Sequence, residues 1–361
     1  MDSAPQETDP ASTTMKVTGM KVARITERGL PPTIMNAAIK PPTPEKLQVR
    51  VLAVGISQQV RNRVDEDHPS SRFYMLPFDP TVDGVVQDEA TGDLYYVLPR
   101  GPRLLAERLN IPKHEILKLP PNTDPVKIAG LTGAWLPTWA LLMGCSGHKV
   151  LIVGATTCNG RVGAQIARYL GASEVIGLAD DEAALATVHG LTTRALLGNP
   201  VDIPKFKGIK FVVDFIGGEA GAEVLDQINQ GPLICELKYL PAWGPRGGDP
   251  FVVDVNLVIR RRMRVIDPAL SVWHLTAPQN VGKLRFAIQM MSMIKVPFDI
   301  VAKPMAEVAE VWNHEYFKDL KQVLVLVPSE RKVQGDVQLF NNKRRAVGQL
   351  TEQPAMNKKR A

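Results

Sequence analysis

Along residues 149–172 the spacing of apolar positions changes period once. Residues 149–153, Lys-Val-Leu-Ile-Val, form a short apolar run, as a strand buried on both faces requires. Gly154, Gly160 and Gly163 follow among small polar residues. Val162, Ile166 and Leu170 then recur every four positions, with Gly163 and Ala167 beside them. That spacing predicts a helix with a narrow apolar face, ended by Gly171. Residues 174–179 return to a short apolar run. The stretch therefore predicts strand, glycine-bearing turn, helix and strand, the opening of a dinucleotide-binding unit. The alternation continues. Residues 209–215 predict a strand turned by Gly217 and Gly218, and residues 221–230 a helix with Ala222, Leu225 and Ile228 inward. Residues 232–239 predict a strand, 256–262 a short helix and 263–268 a last strand. Strands alternating with helices predict a parallel sheet with helices on both faces.

Ahead of this unit the pattern differs. Residues 21–29 and 46–57 read as strands, the second alternating through Leu47, Val49 and Val51. Pro31, Pro32, Pro41, Pro42 and Pro44 are expected to keep the residues between them irregular. Residues 58–77 are polar and read as loop or helix. Residues 81–86 and 94–98 predict strands split by a turn at 89–93, so the first third is mostly β. Residues 124–145 predict a helix that starts after Pro120-Pro121-Asn122-Thr123. Residues 281–294 predict an amphipathic helix whose methionines, Met290, Met291 and Met293, read as packing. Residues 298–305, a short helix to Trp312 and a strand at 322–327 follow.

The glycine-bearing turn points to an anion. The first N–H groups of a helix have no internal partner, and its dipole favours negative charge there. A pyrophosphate reaches that backbone only where side chains are absent. The setting between strand and helix is the one that supports this reading. Ligands of such sheets bind outside the carboxyl ends of the strands. That places residues 154–163, Asp180, residues 215–217 and residues 237–238 around one crevice.

Residues 154–172, with Asp214-Phe215-Ile216-Gly217-Gly218 further on, resemble the medium-chain dehydrogenase/reductase superfamily. The resemblance is to its zinc-independent, quinone-oxidoreductase-like (enoyl reductase-like) branch, and covers about residues 17–328. It implies an α/β fold: a Rossmann-type doubly wound parallel sheet plus a mostly β, GroES-like, partly open barrel. It also implies a boundary scheme: 1–14 a disordered lead-in, 15–123 with 295–328 the substrate domain, 124–294 the dinucleotide-binding domain, and 329–361 a basic disordered tail. The activity implied is hydride transfer from NADPH or NADH to an activated C=C bond, quinone or carbonyl. Gly154, Thr157, Cys158, Asn159, Gly160, Arg161, Val162, Gly163, Asp180, Phe215 and Ile216 would bind the cofactor. The last strand of the sheet commonly pairs with a second subunit in the family, which implies a homodimer.

Zinc-binding members hold the ion with Cys, His and a further Cys or Asp, ligands that suit it. Here Ser57 stands at the first Cys, and Thr81-Val82-Asp83 stands where Gly-His-Glu is found. A four-cysteine lobe is absent. The resemblance thus implies a zinc-free enzyme, which must find its proton elsewhere. Residues 58–77 contain Arg61, Arg63, His68, Arg72 and Tyr74 and are expected to face the crevice. Tyr74 is the expected proton donor and Arg61 the expected oxyanion partner.

Three departures qualify the resemblance. Thr157 and Cys158 stand where the turn usually has glycines, narrowing the space for pyrophosphate, although the Thr157 hydroxyl could meet a phosphate. Two stretches compete for the family's Gly-Leu-Thr beside the nicotinamide: Trp135-Leu136-Pro137 ahead of Trp139, and Gly130-Leu131-Thr132. Pro137 offers neither a hydroxyl nor an N–H. After the second strand stand Asp180 and Asp181, where an NADP-binding relative often has Arg. A carboxylate there accepts from ribose hydroxyls and repels a 2′-phosphate, which favours NAD, while the branch usually prefers NADPH. Both cofactors stay open. So does a degenerate, non-redox member acting as a binding or structural protein.

Composition narrows the classes. A chain of 361 residues, 45% hydrophobic, is long enough for two domains. No run of about 18 apolar residues suggests a membrane span. Residues 1–14 resemble neither a signal nor a transit peptide. Cys145, Cys158 and Cys235 are too scattered for a disulfide framework or a metal motif, so a cytoplasmic, reducing location is expected. Cys158 reads as a small residue filling the turn. From residue 331 onward eight lysines and arginines face two acids, which accounts for the whole net charge of +6. A neutral body with a basic tail does not suggest nucleic acid. Lys343-Arg344-Arg345 and Lys358-Lys359-Arg360 read as a solvated tail. The proline-rich loops and the apolar stretch 131–139 suit a small hydrophobic substrate, with a secondary metabolite as the expected class.

Overall fold

The computed structural model describes residues 18–66, 71, 74–99, 104–197, 208–230, 238–240, 255–260, 262–265, 276–318 and 322–329. The lead-in, the basic tail, His68, Arg72, Cys235 and Leu237 lie outside them.

Strand β1 (Thr18–Arg24) pairs antiparallel with β2 (Thr33–Ile39), in register from Thr18 with Ile39 to Arg24 with Thr33. This corrects the expectation of an irregular segment between the prolines. Pro31 and Pro32 precede β2 and Pro41 follows it, so no proline occupies a pairing position. Strand β3 (Lys46–Ile56) is the spine of the antiparallel sheet. A short helix, α1 (Gln58–Asn62), follows it, capped by Ser57. The neighbours of β3 are β4 (Gly84–Asp88) and β6 (Arg108–Pro112). Beyond β4 lie β5 (Leu94–Val97) and β7 (Ile116–Lys118). β6 and β7, lacking strict alternation, were not anticipated from the pattern.

Helix α2 (Pro125–Leu142) starts where its sequence signal lies. The Asp124 carboxylate accepts from the N–H groups of Val126 and Lys127 at 2.9 and 3.3 Å. Pro125 sits in the first turn, where a missing N–H costs nothing. Pro137 lies inside the helix, so the Gly133 carbonyl loses its usual intrahelical donor. Small residues let α2 press on the antiparallel sheet. A Cβ on Gly55 of β3 would overlap the Ala129 carbonyl oxygen, and one on Gly130 would stand 2.6 Å from Ile300 Cδ1.

The parallel sheet follows. Strand β8 (Lys149–Val153) leads into α3 (Cys158–Tyr169), and β9 (Glu174–Ala179) into α4 (Glu182–Ala186). Next come β10 (Thr193–Leu196), β11 (Ile209–Asp214), α5 (Gly218–Gln230), β12 (Lys238–Leu240), α6 (Val255–Arg260) and β13 (Arg264–Val265). The order is β10-β9-β8-β11-β12-β13, all parallel. It is the doubly wound dinucleotide-fold order, with its switch point between β8 and β11. Burial alternates as a two-sided sheet requires. Val150 and Ile152 pack in the core shared with α2, α3 and α7 (Val281–Met293). Leu151 and Val153 pack in a second core with Val224, Leu225 and Ile228 of α5. Of the residues predicted inward on α5, Ala222 keeps partial exposure and Val224 is buried instead. Met290 and Met291 join the core, while Met293 points outward. The predicted strands at 232–239 and 263–268 run partly outside the described residues.

Strands β14 (Asp299–Pro304) and β15 (Gln322–Val327) are parallel to each other, and β15 returns antiparallel to β3. The antiparallel sheet therefore joins residues more than 250 positions apart. Its inner core holds Val49, Val51, Trp312, Phe317, Leu324 and Leu326.

Candidate functional site

Two glycines of the turn between β8 and α3 admit no side chain. Gly154 has φ of 77°, and a Cβ there would stand 2.8 Å from Ile216 Cγ1. A Cβ on Gly160 would overlap the Gly154 carbonyl oxygen and stand 2.7 Å from Ala155 Cα. Gly163 faces Thr138 of α2 and Phe215, whose nearest atoms would be in ordinary contact with a Cβ at 3.4 and 3.5 Å. The loop after β11 is held by Asp214, fully buried. Its Oδ1 accepts from the N–H groups of Ile216 and Gly217 at 2.8 and 2.9 Å. The structure thus brings Gly154, Gly160, Gly163, Phe215 and Ile216 together at the switch point.

Thr157 caps α3. Its hydroxyl accepts from the Gly160 N–H at 3.0 Å and donates to the Gly154 carbonyl at 2.9 Å. The hydroxyl proton considered for a phosphate is thus engaged within the turn. Cys158 and Val162 face inward and are buried, whereas Asn159 is partly exposed. Arg161 braces the turn. Its Nε donates to the Thr156 carbonyl at 3.0 Å and its Nη1 to Thr187 Oγ1 at 3.0 Å. At the end of β9, Asp180 is exposed, while Asp181 caps α4 by accepting from the Ala184 N–H at 2.9 Å.

A second cluster forms where α2 crosses the antiparallel sheet. A Cβ on Gly133 would stand 3.0 Å from Ser57 Cβ. One residue earlier on the helix, the Thr132 hydroxyl donates to the Ala129 carbonyl at 3.2 Å, and nearby the Asp83 carboxyl accepts from the Tyr96 hydroxyl at 2.7 Å. Ser57, Gln58, Val82, Asp83 and Gly133 all keep partial exposure, although α2 around Gly133 is buried. Burial pushes the Asp83 carboxyl upward from its ordinary range, and the Tyr96 and Thr132 hydroxyls and the Arg63 charge oppose that shift. Thr132 and Thr138 lie on one helix, about 9 Å apart along its axis at roughly 1.5 Å per residue.

Thr132 and Pro137, one in each candidate for the stretch beside a nicotinamide, are both buried in α2. The structure corrects the expectation that residues 131–139 line a substrate. Trp135, Leu136 and Trp139 belong to the core, with the two indoles stacked at 5.8 Å. The expected donor and oxyanion residues, Tyr74 and Arg61, pack against aromatic rings. Tyr74 stacks on Phe78 at 5.1 Å. The Arg61 guanidinium lies 5.7 Å from the Trp312 ring centroid and 5.3 Å from that of Phe317. It is buried, its Nη2 has no hydrogen-bond partner among the described residues, and desolvation brings its pKa down to about 10. Asp83, Tyr96 and Gly133 were not singled out from the sequence as a polar centre. The available signal was an acid at the head of the apolar run 84–86.

Among the described residues, no three His, Cys, Asp or Glu side chains gather as a metal site would require. No described helix is long and apolar enough to cross a membrane.

Comparison with known proteins adds three findings. No protein-family model matches the chain. A probable NADPH-dependent quinone reductase of Emericella nidulans, TdiC, is 31% identical over 338 residues, covering 79% of this chain and 93% of that protein. Among solved structures, the quinone oxidoreductase of Thermus thermophilus, also solved in complex with NADPH, superposes with a TM-score of 0.62 at 21% identity. It matches 85% of this chain and 100% of its own. The quinone oxidoreductase of Pseudomonas syringae pv. tomato gives a TM-score of 0.67 at 19% identity, over 86% of this chain and 100% of its own.

Proposed function

Because the chain belongs to the quinone-oxidoreductase-like branch of the medium-chain dehydrogenase/reductase superfamily, we propose that it reduces a quinone, an activated C=C bond or a carbonyl of a small hydrophobic molecule with NAD(P)H. The observation that carries this reading is the turn at the switch point. A Cβ at Gly154 would meet Ile216 and one at Gly160 the Gly154 carbonyl oxygen, so strand, turn and helix N-terminus close tightly on one another beside Phe215 and Ile216. Gly154, residues 157–163, Phe215 and Ile216 would hold the dinucleotide, and Asp180 its adenosine ribose. Reduced nicotinamide supplies a hydride when bound. NADPH is proposed first, on the name of the Emericella relative, against the local charge of Asp180. The enzyme works without zinc, since Ser57, Thr81 and Val82 offer neither thiolate nor imidazole. A role in secondary metabolism and a cytoplasmic location belong to the same proposal. So does a homodimer across the β13 edge, where Val265 and the nearby Ile259 are 55% and 69% exposed.

The test is a titration with NADPH and with NADH, following tryptophan quenching and energy transfer to the nicotinamide, then turnover with menadione as probe. Binding of either cofactor with menadione reduction supports the reductase. Absence of binding at millimolar concentration would replace it with the non-redox reading, which the relatives do not favour. Light scattering on the eluting protein reads the dimer.

A further inference from the structure

The exposed faces of α3 and α7 meet in an apolar ridge ringed by cations. We propose that this ridge docks the protein on an anionic lipid surface, as a reversible, peripheral attachment. The inference goes beyond the reductase reading and does not depend on it.

Three observations carry it. The first is the ridge. Tyr169 ends α3 and Phe286 lies near the middle of α7, 49% and 45% exposed, with their rings 6.4 Å apart. Both rest on the buried Trp139, at 6.2 and 5.7 Å. That indole fills the space beneath them and keeps them at the surface. At roughly 100° per residue, Phe286 and Met293 share one narrow sector of α7, opposite the buried Leu284, Ala287, Ile288 and Met291. Met293 is 71% exposed.

The second is charge. Lys283 and Arg285 flank that sector, one on each side. Arg168 precedes Tyr169, and Lys295 follows the end of α7; all four cations are exposed. Neither helix contains an Asp or a Glu. Among the described residues none of the four has an ion-pair partner. The chain up to residue 330 is electrically balanced, because the tail accounts for the whole net charge. An acid-free face on a balanced body is a local positive field, and it favours an anionic occupant.

The third is size and shape. A covered Phe or Tyr buries about 150–250 Å², so three side chains exposed by about half or more offer roughly 300 Å². A stable protein interface takes roughly 800 Å² from each partner. The ridge is small for that, and it stands on the outermost sector of a helix. A fluid lipid interface can wrap such a ridge. The apolar tips enter the boundary between headgroups and acyl chains, while the flanking cations stay level with the phosphates.

The test uses the full chain and vesicles of phosphatidylcholine with or without phosphatidylglycerol. The expected result is co-sedimentation with the anionic vesicles that weakens as salt rises, and little with phosphatidylcholine alone. Lys283→Gln with Arg285→Gln should lower vesicle affinity by roughly 20–30-fold, at about fivefold for each cation. Phe286→Ser with Met293→Ser should lower it by about tenfold or more. Melting temperature checks that each variant folds. If the Phe286 variant does not, Met293→Ser alone, at the most exposed position of the ridge, should still lower affinity by about threefold or more. Insertion has its own readout. Phe286→Trp adds an indole on the ridge, and anionic vesicles with brominated acyl chains should quench its emission beyond the quenching of wild type. Wild-type affinity in both double variants overturns the proposal and assigns the vesicle binding to the basic tail, which every variant keeps. Unquenched emission from vesicle-bound Phe286→Trp overturns it too. So does wild-type protein that leaves anionic vesicles unbound at low salt, which would turn the search to an acidic protein partner. Loss of cofactor binding bears on the reductase reading alone.

Discussion

Thr157→Ala should move stability and cofactor affinity in opposite directions. The hydroxyl makes two bonds at the mouth of the turn, one to the Gly160 N–H at 3.0 Å and one to the Gly154 carbonyl at 2.9 Å. Losing an N-cap costs about 1 kcal/mol, and the second bond about 0.5–1 kcal/mol more. Unfolding free energy should therefore fall by about 1–2 kcal/mol. Helix α3 should survive, because Val162, Ile166 and Ala167 stay packed in the core. Binding should not weaken. The freed Gly160 N–H at the helix N-terminus can meet a phosphate oxygen, so the NADPH dissociation constant should stay level or drop by up to about tenfold. The alternative is that the Thr157 hydroxyl itself donates to the phosphate. A hydrogen bond to a charged group contributes about 1.5–3 kcal/mol, so the same variant would then bind about tenfold more weakly or worse. Denaturant unfolding of the cofactor-free protein and a fluorescence titration with NADPH separate the two. Tenfold weaker binding with unchanged stability refutes the reasoning. Thr157→Gly is the control: its cap loss shrinks to a few tenths of a kcal/mol while the second bond still goes, so it should lose about 1 kcal/mol and show the same binding behaviour.

Further outcomes follow from other sites. Asp180→Asn should raise the NADPH-to-NADH ratio of kcat/KM by about three- to tenfold, with the gain shrinking as salt rises; an unchanged ratio would place Asp180 away from the ribose. Gly55→Ala forces a Cβ into the Ala129 carbonyl and should cost about 1–3 kcal/mol. Gly19→Ala, with nothing within 4 Å, should stay within about 0.5 kcal/mol, and equal melting temperatures for the two would contradict the close contact of β3 with α2. Arg61→Met should keep or raise stability near neutral pH, since the wild type holds a buried cation with no ion-pair partner among the described residues. The folded pKa is lowered to about 10, so the unfolded chain binds the extra proton above that pH and wild-type stability recovers relative to the variant. Melting curves across that window check the sign, and a collapse of kcat in a well-folded Arg61→Met would restore Arg61 as an oxyanion partner.

Much of the parallel sheet was legible because its strands are buried on both faces. Residues 149–153 and 174–179 can only be apolar runs there, and they match β8 and β9 to the residue. Strand β2 was hidden because proline excludes only its own position from a ladder, and residues 33–39 carry none. Strands β6 and β7 were hidden because neither alternates cleanly, and their pairing with β3 and β5 supplies the register instead.

The sequence by itself determined the nucleotide turn. Gly154 and Gly160 are local necessities, since positive φ and a carbonyl a few residues away admit no side chain, and local constraints are written in neighbouring residues. Tertiary structure alone decided what the polar side chains do. Arg61 and Tyr74 sit in a stretch that composition marks as site-like, yet Trp312, Phe317 and Phe78 draw them into packing. Asp83 gains its hydroxyl partner because Tyr96 arrives from β5, and Ser57 reaches Gly133 across 76 positions of chain. Such contacts depend on how two sheets share one helix, and no short-range period in the chain encodes that distance.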